Sequence, residues 1–446
     1  MQHRKNISTL KVNHNKHTAD CQPIRIAPPK EVLLPMNMHS GSHAEPIVAV
    51  GDYVRVGQLI AKPGEGMSVP VHATVSGTVT AIEPYKQADG RSALAIKIES
   101  DGKMEQDPNL KPPVFDDVDG FLAAVKDSGV VGLGGAAFPL WGKLDAIRKN
   151  KIDTVLVNAA ECEPYITSDT RMMVDHTDLV VKGVELLHKW MDAKKVVICI
   201  EDNKQEAIQK LRDALAGEEW AEIFILPAIY PQGAKQVLLY NVTGQVVKGG
   251  QRLASLGVVI INVSSTAKMA HYMETGMPLV DRIVTVDGSA VKEPKNLIAP
   301  IGTSLSYLAE QAGGLSCEPG KVIIGGPMLG VAVASPDEPS KKATNSVLFL
   351  TEKEAKIYEP TACIRCGRCV ANCPVSLNPV NLAKAMEHPD EDVRFAKLQE
   401  FSVGQCIECA CCSYVCPAHK PLMEMNKQGK RFVKKYKAEH SNEGGK

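Results

Sequence analysis

Eight cysteines near the carboxyl end stand in two copies of C-x2-C-x2-C-x3-C-P. The first copy is Cys363, Cys366, Cys369 and Cys373 before Pro374; the second is Cys406, Cys409, Cys412 and Cys416 before Pro417. Three thiolates at a three-residue spacing wrap one face of a cubane within a tight loop, whereas the fourth, just before a redirecting proline, points toward the other cluster. The spacing therefore predicts two [4Fe-4S] clusters with crossed ligation. Cys363, Cys366, Cys369 and Cys416 are expected around one, and Cys406, Cys409, Cys412 and Cys373 around the other. Cys411 is left over as a packed or weakly exposed thiol. Zinc takes its ligands as two separated pairs, which a repeated run of four cysteines does not supply. A disulfide framework belongs to short secreted chains, and this chain has 446 residues and is read as lacking a signal peptide. Clusters imply a reducing compartment, so a cytoplasmic location is expected.

A second constellation lies upstream. Gly132, Gly134 and Ala137 in GVVGLGGAAFPLWGKL (129–144) satisfy G-x-G-x-x-[GA]. A dinucleotide fingerprint follows a long buried strand, but here a helix is expected before it, so a plain glycine turn competes with a phosphate loop. NAAECEP (158–164) comes directly after TVLVN (154–158), which reads as a buried parallel strand. That places it at the carboxyl edge of a sheet, where α/β proteins bind ligands. Glycine amides near a helix N-terminus hold phosphate, and Lys143 adds a positive charge. Glu161 and Glu163 can accept hydrogen bonds from ribose hydroxyls or a nicotinamide amide; surface solvation is the competing reading for both.

Several elements must position these groups, and length suggests roughly three domains. Short strands over 47–99 predict an all-β module within 21–110, with Val71, Val75 and Val79 around a hairpin turn at Ser76-Gly77. The module resembles the barrel-sandwich fold of biotinyl and lipoyl carriers. The lysine that such carriers modify would lie near Val71-His72-Ala73, where none stands. Over 115–275, apolar runs alternate with amphipathic segments, predicting a Rossmann-like parallel sheet with helices on both faces. Expected helices are 119–128, 175–192 and 204–215, and expected strands are 195–202, 223–228 and 256–263. A small β-rich unit with one helix (280–335) is compatible with a β-grasp. The cluster segment spans 355–425, where thiolates more than an apolar core are expected to hold the loops.

Charge excludes some classes. Lys+Arg and Asp+Glu are both 51, so nothing global points to nucleic acid. No uncharged apolar run reaches the roughly 18 residues of a membrane helix; the nearest, 322–334, carries Gly325-Gly326-Pro327. The tail 426–446 is basic: from His419 to Lys446 there are eight Lys or Arg against three Glu. Such a tail suits an acidic surface or a frayed, solvated end. The polar opening, Met1 to Asp20, reads as disordered, and its His3, His14 and His17 lack a metal-ligand spacing.

Taken together, GLGGAAFPLWGKL, NAAECEPYITSDTRMM, IYPQGAKQVLLYNVTG, IGTSLSYLAEQAGG, KVIIGGPMLG and both cysteine motifs, in this order behind the β module, resemble the RnfC family of the Rnf electron-transport complex over about 23–427. The middle of that family is similar to the flavin- and NADH-binding subunit of respiratory complex I, followed by a β-grasp (SLBB) domain. The resemblance implies NADH delivering hydride to FMN, which passes single electrons to the clusters and on to other Rnf subunits at the cytoplasmic membrane face. Gly132, Gly134, Gly135, Phe138 and Lys143 would then surround NADH and the flavin phosphate, and Asn158, Glu161 and Glu163 would contact flavin or nicotinamide. Tyr230, Gly233 and Asn262 would complete the pocket, and Glu161, Glu163 and Lys143 are the catalytic candidates. The chain departs from the family pattern at Leu140 (usually Thr), at Lys235 after YPQGA (usually an acid) and across Gly249-Gly250-Gln251-Arg252-Leu253-Ala254. These changes leave an alternative: a paralogue relaying electrons between a ferredoxin-like protein and a soluble reductase, such as a proline reductase, with weakened nucleotide binding. A related cobalamin reductase lacks the N-terminal β module.

Overall fold

The computed structural model describes residues 10–87, 90, 92–150, 152–247, 251 and 253–440. The chain divides into two compact units. The first is His14–Ile225 with Ala254–Ala355; the second is Met1–Asn13, Leu226–Leu253 and Lys356–Lys446.

The first unit begins with eight strands: β1 (Ile24–Arg25), β2 (Glu31–Pro35), β3 (Glu45–Pro46), β4 (Tyr53–Val54), β5 (Leu59–Lys62), β6 (Val71–His72), β7 (Gly77–Lys86) and β8 (Ser92–Ser100). They form two facing sheets, β2-β8-β7-β4 and β3-β5-β6, with β1 joining a later sheet. Side chains alternate across a strand, so β2 sends Val32 and Leu34 inward opposite Ile98 and Ile96 of β8. Burying each such side chain contributes about 1.5–3 kcal/mol. The expected hairpin at Ser76-Gly77 is not one: β6 pairs with β5, whereas β7 pairs with β4 and β8. The chain crosses from one sheet to the other there. Val71, Val75 and Val79 are all buried because they face the core that the two sheets share.

The α/β region follows. Helices α1 (Val118–Asp127) and α2 (Leu140–Asn150) lead into β9 (Thr154–Ala159), α3 (Ser168–Asp175), α4 (Thr177–Met191), β10 (Lys195–Glu201), α5 (Gln205–Ala214) and β11 (Ala221–Leu226). The chain then contributes α6 (Lys235–Thr243) to the second unit, so the domain expected over 115–275 is interrupted. It resumes with β12 (Val258–Asn262) and α7 (Val263–Thr275). The sheet order is β11-β10-β9-β12, with β10 and β12 both parallel to β9. Its strands are continuous apolar runs because helices cover both faces. The helix expected over 175–192 is α4, and a separate short helix that was not expected, α3, precedes it and ends at Asp175.

The last part of the first unit adds β13 (Asp281–Asp287), β14 (Lys295–Pro300), α8 (Leu305–Gln311), β15 (Lys321–Ile324), β16 (Val331–Val333) and β17 (Ser346–Leu350). The sheet runs β1-β14-β13-β17-β15-β16, and Leu305 and Leu308 of α8 pack on Val284, Val286 and Phe349. It is wider than the expected 280–335, since β1 and β17 come from outside that range.

The second unit is helical around the cysteine motifs: α9 (Arg368–Ala371), α10 (Pro379–Met386), α11 (Glu391–Glu400), α12 (Cys411–Tyr414) and α13 (Leu422–His440). Beside the cysteine motifs it has an apolar core of its own, in which Leu377, Leu382, Ala385, Leu398, Val403 and Val433 pack together. The basic segment is helical up to His440: α13 buries Leu422, Asn426, Gly429 and Val433 and leaves Lys434, Lys435 and Lys437 exposed. Residues 441–446 lie outside the described residues. No helix among the described residues is long and apolar enough to cross a membrane.

Candidate functional site

In the cluster segment, short helices α9 and α12 each carry the third cysteine of a motif, Cys369 and Cys412, while the first two cysteines lie on the preceding loop. The reversing prolines send Cys373 and Cys416 across. One cavity, of about 290 Å³, is lined by Cys363, Cys366, Cys369 and Cys416. A second, smaller one is lined by Cys406, Cys409, Cys412 and Cys373. The crossed sets expected from spacing are therefore the sets that share a wall, and all eight thiols are free of disulfides. Among the described residues no three Cys, His, Asp or Glu converge on a site for one metal ion. Four thiols arranged around a cavity suit a multi-atom cluster rather than a single zinc. Leu377 N–H donates to Cys373 Sγ at 3.3 Å, an amide–sulfur bond of the kind that stabilises a cluster thiolate. Cys411, the leftover thiol, is fully buried, and its contact to Cys409 together with burial pushes it up.

In the first unit the glycine loop follows α1 and opens α2, so its context is helix, loop, helix. It closes on itself: Gly132 N–H donates to Phe138 O at 2.8 Å and Ala137 N–H to Gly132 O at 3.1 Å. Its tip, Gly134-Gly135-Ala136, is exposed. Gly135 has φ +109°, where glycine is favoured, and a Cβ there would meet nothing within 4 Å. The tip opens onto a cleft of about 380 Å³ that Glu163 also lines, together with Gly325, Gly326 and Lys341 of the β-grasp part. Exposed glycine backbone of this kind leaves amides accessible to a phosphate.

Phe138, Lys143, Asn158, Glu161 and Asn262 do not line this cleft. Lys143, in the first turn of α2, reaches Ile260 O at 3.4 Å near the end of β12. Asn158, next to last in β9, accepts from Ala160 N–H at 3.2 Å. Asn262 caps α7 through Ser265 N–H at 3.1 Å and donates to Asp169 Oδ2 at 2.6 Å. Phe138 is half-buried over Gly142 of α2. Glu161, held at φ +49°, accepts from Asp169 N–H at 2.6 Å, Thr170 N–H at 3.1 Å and the Thr170 hydroxyl. Its carboxylate therefore caps α3, where the helix dipole favours a negative charge. Burial nevertheless raises the Glu161 carboxyl above its ordinary range, opposed in part by Lys16, and burial does the same to Asp169. Glu163 accepts from Met328 N–H at 3.1 Å. Gly326 lies so close to it that a Cβ would stand 2.2 Å from Glu163 Oε2, so only glycine fits there.

Tyr230 and Gly233 belong to the second unit. Tyr230 is fully buried and its backbone bridges Leu10, while Gly233 precedes α6. Of the departures, Leu140 is buried at the start of α2 and Lys235 is exposed at the start of α6. Gly249, Gly250 and Arg252 lie outside the described residues.

Lys16 had no signal in the sequence, because it falls in the opening read as disordered. Its Nζ donates to Glu161 O and Glu163 O at 2.8 Å and to Ile166 O at 2.5 Å. One ammonium thus fastens the whole acidic loop, and burial lowers its pKa against the attraction of Glu161. From residue 10 onward the opening is bonded: Thr18 is buried and its hydroxyl meets that of Thr167.

Comparison with known proteins agrees with this layout. Residues 8–103 match the RnfC barrel sandwich hybrid domain, 125–271 the Nuo51 FMN-binding domain, 283–332 the SLBB domain and 355–417 the 4Fe-4S dicluster domain. The chain is 43% identical over 359 residues to the C-subunit of the Na(+)-translocating ferredoxin:NAD(+) oxidoreductase complex of Acetobacterium woodii, covering 80% of this chain and 81% of that one. It is 39% identical to the proton-translocating counterpart of Clostridium ljungdahlii, covering 82% and 81%. It is also 39% identical to the C-subunit of the ion-translocating oxidoreductase complex of Yersinia pseudotuberculosis, covering 81% of this chain and 52% of that longer one.

Proposed function

Since the chain belongs to the RnfC family, we propose that it carries electrons from NADH through FMN to two [4Fe-4S] clusters. It does so as the peripheral RnfC component, on the cytoplasmic face, of an ion-translocating ferredoxin:NAD oxidoreductase complex. The observation that carries this reading is the pairing, in one chain, of an FMN-type domain with two cavities each walled by four cysteine thiols. Bound FMN supplies the conversion between a two-electron hydride and the single electrons that iron-sulfur clusters carry.

The chain's own residues do the rest. Backbone of the Gly132–Gly135 loop, at the entrance to α2, holds phosphate, with Lys143 behind it supplying positive charge. Glu163, held against the Gly326 loop, orients flavin or nicotinamide by accepting hydrogen bonds. Glu161 and Lys16 keep that acidic loop in place, one through the N-terminus of α3 and the other through three carbonyls. Asn158 and Asn262 stand opposite each other at the carboxyl ends of the paired strands β9 and β12. Cys363, Cys366, Cys369 and Cys416 hold one cluster, and Cys406, Cys409, Cys412 and Cys373 hold the other. The test is anaerobic purification followed by absorption spectroscopy before and after NADH. A flavin band with NADH-dependent bleaching of the cluster absorbance is expected; absence of both rejects the reading.

A further inference from the structure

Three parts of the first unit wall the cleft at the glycine tip. The α/β region supplies the tip and Glu163, the barrel sandwich supplies the 37–40 loop and Gln87, and the β-grasp part supplies residues between 324 and 345. The barrel sandwich is also fastened to the tip: Ser40 N–H donates to Ala137 O at 2.9 Å and the Ser40 hydroxyl to Ala136 O at 3.0 Å. Charge in this cleft is sparse. Among the described residues lining it, Glu163 and Glu338 are the carboxylates and Lys341 is the one lysine or arginine. His39, in the same wall, adds no positive charge near neutral pH, because burial and the neighbouring Lys342 lower its pKa to about 4.

Lys341 is half-buried and held from several sides. Its own N–H donates to the Thr344 hydroxyl at 2.9 Å, and Lys342, next in the chain, is buried with its ammonium on Pro70 O and Gly129 O. The Lys341 ammonium donates to Gln87 Oε1. Gln87 is 3% exposed, and its Nε2 donates to Asn37 Oδ1 at 2.7 Å, which turns its carbonyl end to the lysine. Such a relay keeps one long side chain in one place and lowers the ordering cost when a ligand arrives. Asn37, Gln87 and Lys341 all lie outside 125–271, the segment that matches an FMN-binding domain. We propose that Lys341, aimed by Gln87 and Asn37, pairs with a phosphate of the nucleotide in this cleft, so that the barrel sandwich and the β-grasp part complete a site begun by the glycine tip. This rests on the flavin and NADH reading above. A phosphate placed beside Glu163 and Glu338 is repelled by both, and an ammonium in the same wall offsets that repulsion. The phosphate is that of FMN or one of the two of NADH; all are phosphate esters. Binding here makes and breaks no covalent bond.

The test compares ligands that differ only in a phosphate. Dissociation constants are measured by equilibrium dialysis, without oxygen, on the full cluster-loaded chain freed of flavin. The pairs are FMN with riboflavin, nicotinamide mononucleotide with nicotinamide riboside, and AMP with adenosine, for the wild type, Lys341→Met, Lys341→Arg and Gln87→Leu. Loss of structure weakens both members of a pair alike, whereas loss of a phosphate contact changes their ratio. In Lys341→Met the preference for the phosphate-bearing member should fall about tenfold in at least one pair, and the pair affected identifies the phosphate. Lys341→Arg should keep most of that preference. Gln87→Leu should lose part of it, in the same pair, although the lysine is still present. Ratios unchanged in all three pairs for Lys341→Met overturn the proposal, as does equal weakening of both members, which marks Lys341 as a structural tie. If that variant fails to fold, the wild type is acetylated with acetic anhydride and read by mass spectrometry. FMN, nicotinamide mononucleotide or AMP should then protect Lys341 more than its phosphate-free partner does, and protection by none of them overturns the proposal. The two readings fail separately. Tight FMN binding with unchanged ratios sinks the role of Lys341 alone, while a wild type that binds none of the six ligands sinks the flavin and NADH reading and the proposal with it.

Discussion

Lys16 and Lys342 show how much single buried cations organise the first unit. Lys16 Nζ serves three carbonyls of the 161–166 loop. Lys16→Met leaves those acceptors unpaired and should cost on the order of 2 kcal/mol, read as a lower urea midpoint, with weaker FMN retention on gel filtration. Lys342 is fully buried, and its Nζ donates to Pro70 O at 2.7 Å and Gly129 O at 2.8 Å. It thus ties the β-grasp part to the barrel sandwich beside His72, which is itself buried where carrier proteins present a modified lysine. Burial lowers its pKa from 10.5 to about 7. Between those two values the unfolded chain binds the extra proton, so stability rises as pH climbs from about 7 toward 10, and the full penalty is felt below 7. All three tryptophans, Trp141, Trp190 and Trp220, lie in this unit. Their fluorescence in urea should show that rise in the wild type and its loss in Lys342→Met; equal slopes in the two proteins would refute the assignment.

At the scale of elements, loops dock on one another through close backbone approach and caps. The 325–330 turn sits on Glu163 because Gly326 has no side chain. Gly326→Ala forces a Cβ to within 2.2 Å of a carboxylate oxygen, and overpacking of this kind costs about 1–3 kcal/mol. The expected readout is weakened FMN binding by equilibrium dialysis with cluster content unchanged. In the cluster segment, Asp390 caps α11 by accepting from Val393 N–H at 2.9 Å. Asp390→Ala should lower stability by about 1 kcal/mol, seen in thermal unfolding by circular dichroism. The strands of the parallel sheet were legible because continuous apolar runs are peculiar to strands covered on both faces. The Ser76-Gly77 crossing was not, because a β-branched residue every fourth position looks the same whether the chain turns back or passes to a second sheet.

For the whole molecule, crossed ligation couples the two halves of the cluster segment. Iron should fall from about eight to about four atoms per chain in Cys373→Ala and in Cys406→Ala. Combining those two should cost no more, whereas Cys363→Ala with Cys406→Ala should remove nearly all the iron. Loss of all iron in the Cys373/Cys406 pair would show that each motif serves its own cluster. Sequence by itself determined which thiols share a cavity, the order of the four domain types and the carboxyl-edge position of the acidic loop. Cluster spacing, apolar periodicity and strand-to-loop sequence are local properties, readable within a dozen residues. Only the tertiary structure decided that Glu163 and the Gly134-Gly135 tip share a cleft while Glu161 caps α3, that Lys16 reaches loop 161–166 from some 150 residues away, and that Gln87 of the barrel sandwich meets Lys341 of the β-grasp part. Those facts depend on which distant surfaces meet, and burial and pairing are set by the partner that arrives, not by the residue's own neighbours in the chain.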